Sequence, residues 1–374
     1  MKLLFYITRN NNGGAERVMT NLANEMSGRG HSVAFVVAFT TESDYALERG
    51  VRLYDMKIKH RESTPHKLIC VFKRAAALRR VIKREKPDAV IAFLPYPVVT
   101  AALATRFLKT TLIDSVRNDP SATFRNVVTR FGARFIHSLA DGCVFQTKQA
   151  LEWFPKKMRD RSKVIENIMD RRFFHTSPAP ERSGIIGVGR LSRQKRWDVA
   201  IKAFSMIADR YDGSFTIYGG DENGNLDGLR RLARELDIAD RVVFAGNVSN
   251  IERKLRESRL FVLSSDFEGT PNALLEALAV GLPCVTTAFA GGGCECVDNN
   301  VNGLVVPVGD ASALAEEMLK VLSDDELAER LGRNAKSNSA LRYDPDAVCE
   351  KWESFILSVA TNSSRRPPQD IHDP

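Results

Sequence analysis

The sequence predicts an α/β fold of two doubly wound domains, each built on a parallel sheet, and three observations carry that expectation. Short apolar runs alternate with helix-period stretches along nearly the whole chain, which is the pattern of βαβ units and not of hairpins. The alternation lapses at 171–184, RRFFHTSPAPERSG, where two prolines and small polar residues interrupt the periodicity. A length of 374 residues exceeds one ordinary core and suits two domains of common size. The expected domains are 1–172 and 184–344, followed by a helix over 345–360 and a disordered tail over 361–374.

In the first half, Leu3 to Thr8, Ser32 to Val37, Ala89 to Leu94, Leu112 to Val116 and Cys143 to Gln146 read as strands, with helices between them. In the second half the strands are Ile185 to Val188, Phe215 to Tyr218, Val242 to Phe244, Leu260 to Leu263 and Val285 to Thr286. The longest apolar stretch, Ala89 to Ala104, contains Pro95 and Pro97 and reads as a strand running into a helix, not a membrane span. The start, MKLLFYIT, lacks the features of a signal peptide, so the expected location is the cytoplasm, with a peripheral place on the membrane face allowed. Six scattered cysteines form neither a disulfide framework nor a zinc pattern and read as reduced thiols.

Charge divides the halves. The chain carries +8 overall, yet residues 1–180 hold 31 Lys and Arg against 16 Asp and Glu, and the remainder is acidic. One half is therefore suited to an anionic surface or substrate while the other need not be.

The most legible chemistry lies at 259–283. Leu260 to Leu263 is a buried strand, Ser264 to Gly269 a polar loop, Thr270 a helix cap and Pro271 the first helical residue, with Gly281 and Pro283 closing the helix. Backbone N–H groups of Asn272 and Ala273, with the helix dipole behind them, make an anion site beyond the strand's carboxyl end. Glu268 stands before it and Glu276 inside the helix, beside the apolar face of Leu274, Leu275, Leu278 and Ala279, where a carboxylate needs a partner.

The run Glu268-Gly-Thr-Pro-Asn-Ala-Leu-Leu-Glu276-Ala resembles the signature loop and helix of the family-4 retaining glycosyltransferases, enzymes of the GT-B fold with two Rossmann-like domains and a cleft between them. The resemblance implies that Glu268 contacts the hydroxyls of the transferred sugar, that Glu276 holds the nucleotide ribose, and that Thr270, Pro271, Asn272 and Ala273 line the donor diphosphate. It also implies that the final helix packs back on the first domain.

Two further motifs fit that resemblance. Gly189-Arg190-Leu191, three residues, Lys195, and then Asp198 is similar to the family's second signature, with Arg196 where glycine or asparagine is usual. Arg190 offers a fork to phosphate oxygens and Lys195 a point charge, so the two can stabilise a departing diphosphate without a metal ion; Arg193 and Arg196 read as surface cations. After the first strand, Gly13 and Gly14 correspond to the family's glycine loop against donor and acceptor, with Glu16 assigned to the acceptor side. Two looser stretches, 164–170 and 291–307, resemble the family's hinge strand and last donor-side loop.

At Arg117, where many relatives carry histidine, the chain departs from the pattern. Arginine is no general base at neutral pH, so Arg117, beside Asn118, is assigned to steadying phosphate or orienting the acceptor.

Between Lys57 and Lys86 lie eleven Lys or Arg and two Glu. On a helical wheel Leu68, Val71, Ala75, Leu78 and Ile82 share one arc and Lys73, Arg80, Lys83 and Arg84 another. The simplest account is a helix packed on its sheet with a solvated basic face; the sharper one is contact with anionic headgroups or a lipid-linked pyrophosphate. The expected activity is metal-independent, cofactor-free transfer of a sugar from a nucleotide diphosphate donor, UDP favoured, to a hydroxyl of a lipid-linked glycan with retention. Rivals are an epimerase or hydrolase of the same fold and a nucleic-acid binder. The second leaves the acidic half and both glutamates unused, and the basic segment offers only Phe72 for stacking bases. No Asp-x-Asp stands near the site; Asp344-Pro-Asp346 reads as a helix cap.

Overall fold

The computed structural model describes all residues except 12, 43, 60–63, 177–178, 180, 222–223, 290–292 and 365–374, and side chains are described outside 64–68, 293–294 and 362–364 as well. The chain forms two compact units, one of Met1–Ile168 with the segment from Pro345 onward, the other Met169–Asp344.

The first unit is built on a seven-stranded parallel sheet: β1 Lys2–Ile7, β2 Ser32–Val37, β3 Val51–Asp55, β4 Ala89–Phe93, β5 Thr111–Val116, β6 Gly142–Phe145 and β7 Ser162–Val164. Their order across the sheet is β3-β2-β1-β4-β5-β6-β7. The inner strands are near-continuous apolar runs because helices cover both faces, so they are the ones that periodicity finds. The two outermost, VRLYD and SKV, were not among the expected strands. Each has only one neighbour, and in β3 only Val51 is buried, so neither needed an apolar run. Val164 ends β7, and 165–170 continue as irregular chain where a hinge strand was expected.

The second unit repeats the design with β8 Ile185–Val188, β9 Phe215–Tyr218, β10 Val242–Gly246, β11 Leu260–Leu263, β12 Cys284–Thr287 and β13 Leu304–Val306, ordered β10-β9-β8-β11-β12-β13. The short edge strand β13 replaces part of the loop read at 291–307; residues 291–292 of that stretch are outside the described residues. Both sheets are parallel throughout, and each reverses strand order once, between β1 and β4 and between β8 and β11. The carboxyl ends of those strand pairs are where loops diverge and leave a crevice.

The C-terminal helix, Pro345–Ser364, belongs to the first unit. Trp352 stacks on Phe93 at 6.2 Å, and a Cβ on Gly142 would stand 2.7 Å from Val359, so the helix lies against the sheet where only glycine admits it. Arg29 fixes it from the side, with Nε 2.9 Å from Glu353 and Nη1 3.0 Å from Asp346. The helix runs to Ser364, so 361–364 are helical and not part of a disordered tail; the remainder of that tail is outside the described residues.

The basic segment forms a helix over Thr64–Glu85. Ala75, Leu78 and Ile82 are buried and Lys73, Arg80, Lys83 and Arg84 exposed, as the wheel implied; residues 60–63 and the side chain of Leu68 are outside the described set. Cys143, Cys284, Cys296 and Cys349 are buried free thiols and Cys70 a half-buried one. Among the described residues no helix is long and apolar enough to cross a membrane.

Candidate active site

In the second unit the site begins at the β8–β11 reversal. After β8 the chain passes Gly189, where a Cβ would come 2.8 Å from Lys195 Cε, so only glycine lets the lysine fold back over the loop. A single 3-10 turn, Arg193–Lys195, leads to Arg196 in the left-handed region (φ 47°, ψ 44°), and the helix Trp197–Ile207 follows. The left-handed geometry explains why glycine or asparagine suits position 196.

The loop after β11 is stitched to this turn. Ser264 Oγ lies 2.8 Å from the Lys195 carbonyl and 2.9 Å from that of Arg196, Gln194 Nε2 donates to the Phe267 carbonyl at 2.7 Å, and the Asp266 N–H donates to the Gln194 carbonyl at 2.9 Å. Arg196 is no free surface cation: Nε meets Asp198 at 3.0 Å and Nη1 meets Asp266 at 2.9 Å, tying helix to loop.

These ties bring Lys195 Nζ to 2.7 Å from Glu268 Oε1, with both side chains largely buried. The same carboxylate oxygen accepts from Ser265 Oγ at 2.8 Å, and the Ser265 carbonyl accepts from Thr287 Oγ1 on β12 at 2.6 Å. The carboxylate is thus aimed by a chain of hydrogen bonds reaching a third strand.

The helix beside them is Asn272–Ala279. It starts one residue later than expected: Pro271 is the flanking residue, in extended conformation, and Thr270 is no cap, so no side-chain cap hydrogen bond closes this end. The N–H groups of a helix's first turn have no intrahelical acceptor, so the end of this helix next to Glu268 carries the positive end of the helix dipole. Glu276, the helix's one charged residue, is buried one turn in. Arg190 is exposed at the start of the β8 loop, its carbonyl accepting from Trp197 Nε1 at 3.0 Å. Of the two expected cations, Lys195 is the one held at the carboxylate.

In the first unit, Gly13 precedes the helix Gly14–Gly28, and the Glu16 carboxylate folds over it: a Cβ there would stand 1.8 Å from Glu16 Oε2. The close neighbour of glycine at 13 is thus the movable end of the chain's own Glu16 side chain. Asn10, buried at the end of β1, accepts from Thr20 Oγ1 at 2.6 Å and donates to the Tyr45 carbonyl at 3.0 Å.

Past β5, Arg117 is 7% exposed, with its guanidinium 3.9 Å over the Phe93 ring. Nη1 donates to Asn167 Oδ1 at 2.7 Å, an oxygen that also accepts from Gln146, while Nε and Nη2 meet no acceptor among the described residues. Burial pulls this guanidinium down to about 9, partly offset by Asp114, so it is cationic at neutral pH. Asp114 itself is buried against His137 Nδ1. Asn118 is exposed, and Asp119 caps the turn Pro120–Thr123.

The sequence reading missed Gln146, Gln194, Ser264, Ser265 and Asp266. Each is a small or medium polar residue just past a strand, a position whose importance shows only once the neighbouring loop is in place.

Glycosyltransferase Family 4 matches residues 12–173, and Glycosyl transferases group 1 matches 170–338, so the two descriptions tile most of both units. The chain belongs to the family-4 glycosyltransferases. Among the relatives of this glycosyltransferase is an α-1,4-N-acetyl-D-galactosaminyltransferase of Campylobacter jejuni, named for a GalNAc-GalNAc-diNAcBac-PP-undecaprenol substrate, 26% identical over 96% of this chain and 99% of its own. N-acetyl-α-D-glucosaminyl L-malate synthase of Bacillus anthracis is 23% identical over 93% and 94%. Among solved structures, Anabaena HepE with UDP and glucose matches at a TM-score of 0.80 with 19% identity, covering 96% of this chain and all of that one. Sucrose-phosphate synthase of Thermosynechococcus elongatus matches at 0.83 with 16% identity, over 97% and 100%. These neighbours establish the GT-B fold.

Proposed function

We propose that this glycosyltransferase moves a sugar from a nucleotide diphosphate donor, UDP favoured, to a hydroxyl of a lipid-linked glycan, with retention and without a metal ion. The observation that carries the reading is the Lys195–Glu268 contact beside the start of the Asn272–Ala279 helix. The donor diphosphate takes the helix end, with Lys195 and Arg190 supplying positive charge as the leaving group becomes a dianion. Glu268 receives the sugar hydroxyls and Glu276 the ribose. The bond from the anomeric carbon to the diphosphate oxygen breaks, the acceptor oxygen bonds that carbon on the same face, and the acceptor proton passes to the departing phosphate.

The acceptor is assigned to the first unit, with Gly13, Gly14, Glu16 and Asn118 around it. Arg117 takes an oxyanion of the acceptor: its unmatched guanidinium edge is chemically suited to a diphosphate. The lipid-linked acceptor is favoured by the named substrate of the Campylobacter relative and by the basic face of the Thr64–Glu85 helix.

Purified protein incubated with a panel of nucleotide sugars and a short lipid diphosphate saccharide, in chelator, is expected to give one glycosylated product whose anomeric proton coupling matches the donor's. Release of nucleotide with no glycoside would replace this reading by hydrolysis or epimerisation.

A further inference from the structure

The helix Val127–Ser138 in the first unit is turned inside out. Val127, Val128, Phe131 and Phe135 are 66%, 80%, 68% and 66% exposed, whereas the buried residues are Ala133 and His137. At about 100° per residue the four large side chains fall within one arc of roughly 100°, so they form one outward face. A single exposed Leu or Phe needs no explanation, but four on one face of a twelve-residue helix make a contiguous patch of the kind a soluble surface avoids. The neighbouring helix Pro95–Thr105 packs beside it, and Tyr96 and Phe107 at its two ends are likewise exposed.

Charge selects the occupant. Between Asp119 and Asp141 the chain carries Arg125, Arg130 and Arg134 and no carboxylate. Arg125 and Arg130 are exposed, and Arg130 and Arg134 lie against Trp153, at the border of the patch. A second copy of this chain would set arginines against arginines. An apolar stripe bordered by cations is instead the make-up of a helix that lies in the boundary of an anionic bilayer.

We propose that Val127–Ser138 docks this protein on an anionic lipid surface, its valines and phenylalanines entering the acyl boundary and Arg125 and Arg130 meeting headgroup phosphates. The inference deepens the lipid-linked acceptor reading and places the main contact on Val127–Ser138, with four large apolar side chains exposed, instead of on the Thr64–Glu85 helix, where among the described side chains Ile69 and Phe72 are the exposed large apolar ones.

The test is flotation with vesicles of phosphatidylcholine alone or mixed with phosphatidylglycerol. Wild-type protein is expected to float with the mixed vesicles, less so in high salt. The double variant Phe131→Asp, Phe135→Asp should lose about tenfold or more of the bound fraction while its melting temperature stays put, both side chains being exposed. The proposal is overturned if that variant floats like wild type, if wild type ignores the mixed vesicles, or if Lys73→Gln with Arg80→Gln abolishes flotation while the phenylalanine variant does not. A wild-type dimer that the phenylalanine variant dissolves, with no vesicle binding, would overturn it in favour of self-association. UDP binding measured in parallel reads the donor site separately, so protein that holds UDP and ignores vesicles sinks the docking face alone.

Discussion

The two units place a buried cation near the carboxyl end of a parallel sheet and treat it in opposite ways. Lys195 has the Glu268 carboxylate at 2.7 Å, itself held by Ser265. Arg117 has a neutral amide oxygen, an aromatic face, and two nitrogens that meet no acceptor among the described residues. Removing an ion from water is costly, and a nearby counter-ion returns much of that cost only when the geometry is good. Lys195 is therefore neutralised before any ligand arrives, whereas Arg117 waits for its anion. The lesson is that side chains of one charge, each in a loop past a strand of its own parallel sheet, are expected to have mutational effects of opposite sign on stability and of the same sign on activity.

Lys195→Ala tests the paired half most severely. Turnover is expected to fall by about 10²–10³, the loss of one preorganised transition-state contact. Stability is expected to fall as well, by about 1–3 kcal/mol, because Glu268 is left buried without its cation. Glu268→Gln should cost turnover similarly and also lower stability, because Lys195 is left without its counter-ion, though the amide oxygen still accepts from Ser265. Steady-state kinetics and denaturant midpoints read both; wild-type rates in the two variants would remove Lys195 and Glu268 from the site.

Arg117→Met tests the unpaired half. Loss of a charge-assisted contact of about 1.5–3 kcal/mol raises KM for the acceptor by roughly 10–100-fold. The same change should raise the unfolding free energy by about 1 kcal/mol, because a buried charge that Asp114 offsets only in part is replaced by apolar volume and Gln146 keeps its bond to Asn167. A destabilised Arg117→Met, measured by chemical denaturation, would mean that the guanidinium is structural and would erase the contrast with Lys195.

How much of this the sequence disclosed follows from what each element needs. Inner strands such as Ala89–Phe93 and Leu260–Leu263 must be apolar on both faces, so runs of Val, Ile and Leu announce them. Edge strands β3, β7 and β13 carry no such demand and escaped notice. Glu268 and Glu276 were legible because a carboxylate beside an apolar helix face needs a reason. Ser264, Gln194 and Asp266 were not, because their work is to join two loops 70 residues apart, and nothing local marks a residue for that. Arg196 was misjudged as a surface cation for the same reason. The inverted helix Val127–Ser138 was missed because periodicity reports an apolar face without saying which way it turns.

A paired cation at the amino end of a strand sharpens the comparison. Arg29 holds Glu353 and Asp346 of the C-terminal helix, and His31 adds a contact to Glu353 at 2.7 Å. The hydrogen bond from Arg29, with help from His31, keeps the Glu353 carboxyl below its usual range against the opposing effect of burial. A carboxylate whose folded value is lowered contributes stability that is present above its unfolded value and lost as pH falls through the folded one. Arg29→Ala should therefore lower the melting temperature by about 2–4 °C at pH 7, for roughly 1 kcal/mol in a unit of this size, and by progressively less as pH falls below about 4. Turnover should hardly change. A constant difference across that range would remove the pair as its cause.

The smallest change in stability is expected for Arg196→Gly, because two kinds of cost meet in that residue. A side chain in the left-handed region carries about 1 kcal/mol of strain that glycine does not feel. Its bonds to Asp198 and Asp266 are only partly buried, and such pairs return about 0–1 kcal/mol each. Arg196→Gly loses the pairs and sheds the strain, so its stability should lie within about 0.5 kcal/mol of wild type, whereas Arg196→Ala keeps strain, loses both pairs and should cost about 1–2 kcal/mol. Both variants free the loop that presents Lys195, so both should lower turnover only a few-fold, with KM for the donor rising alongside. If glycine and alanine destabilise alike, the ion pairs alone hold the turn and the backbone argument fails; if the glycine variant loses as much turnover as Lys195→Ala, Arg196 acts on the substrate and belongs with the paired cations of the site.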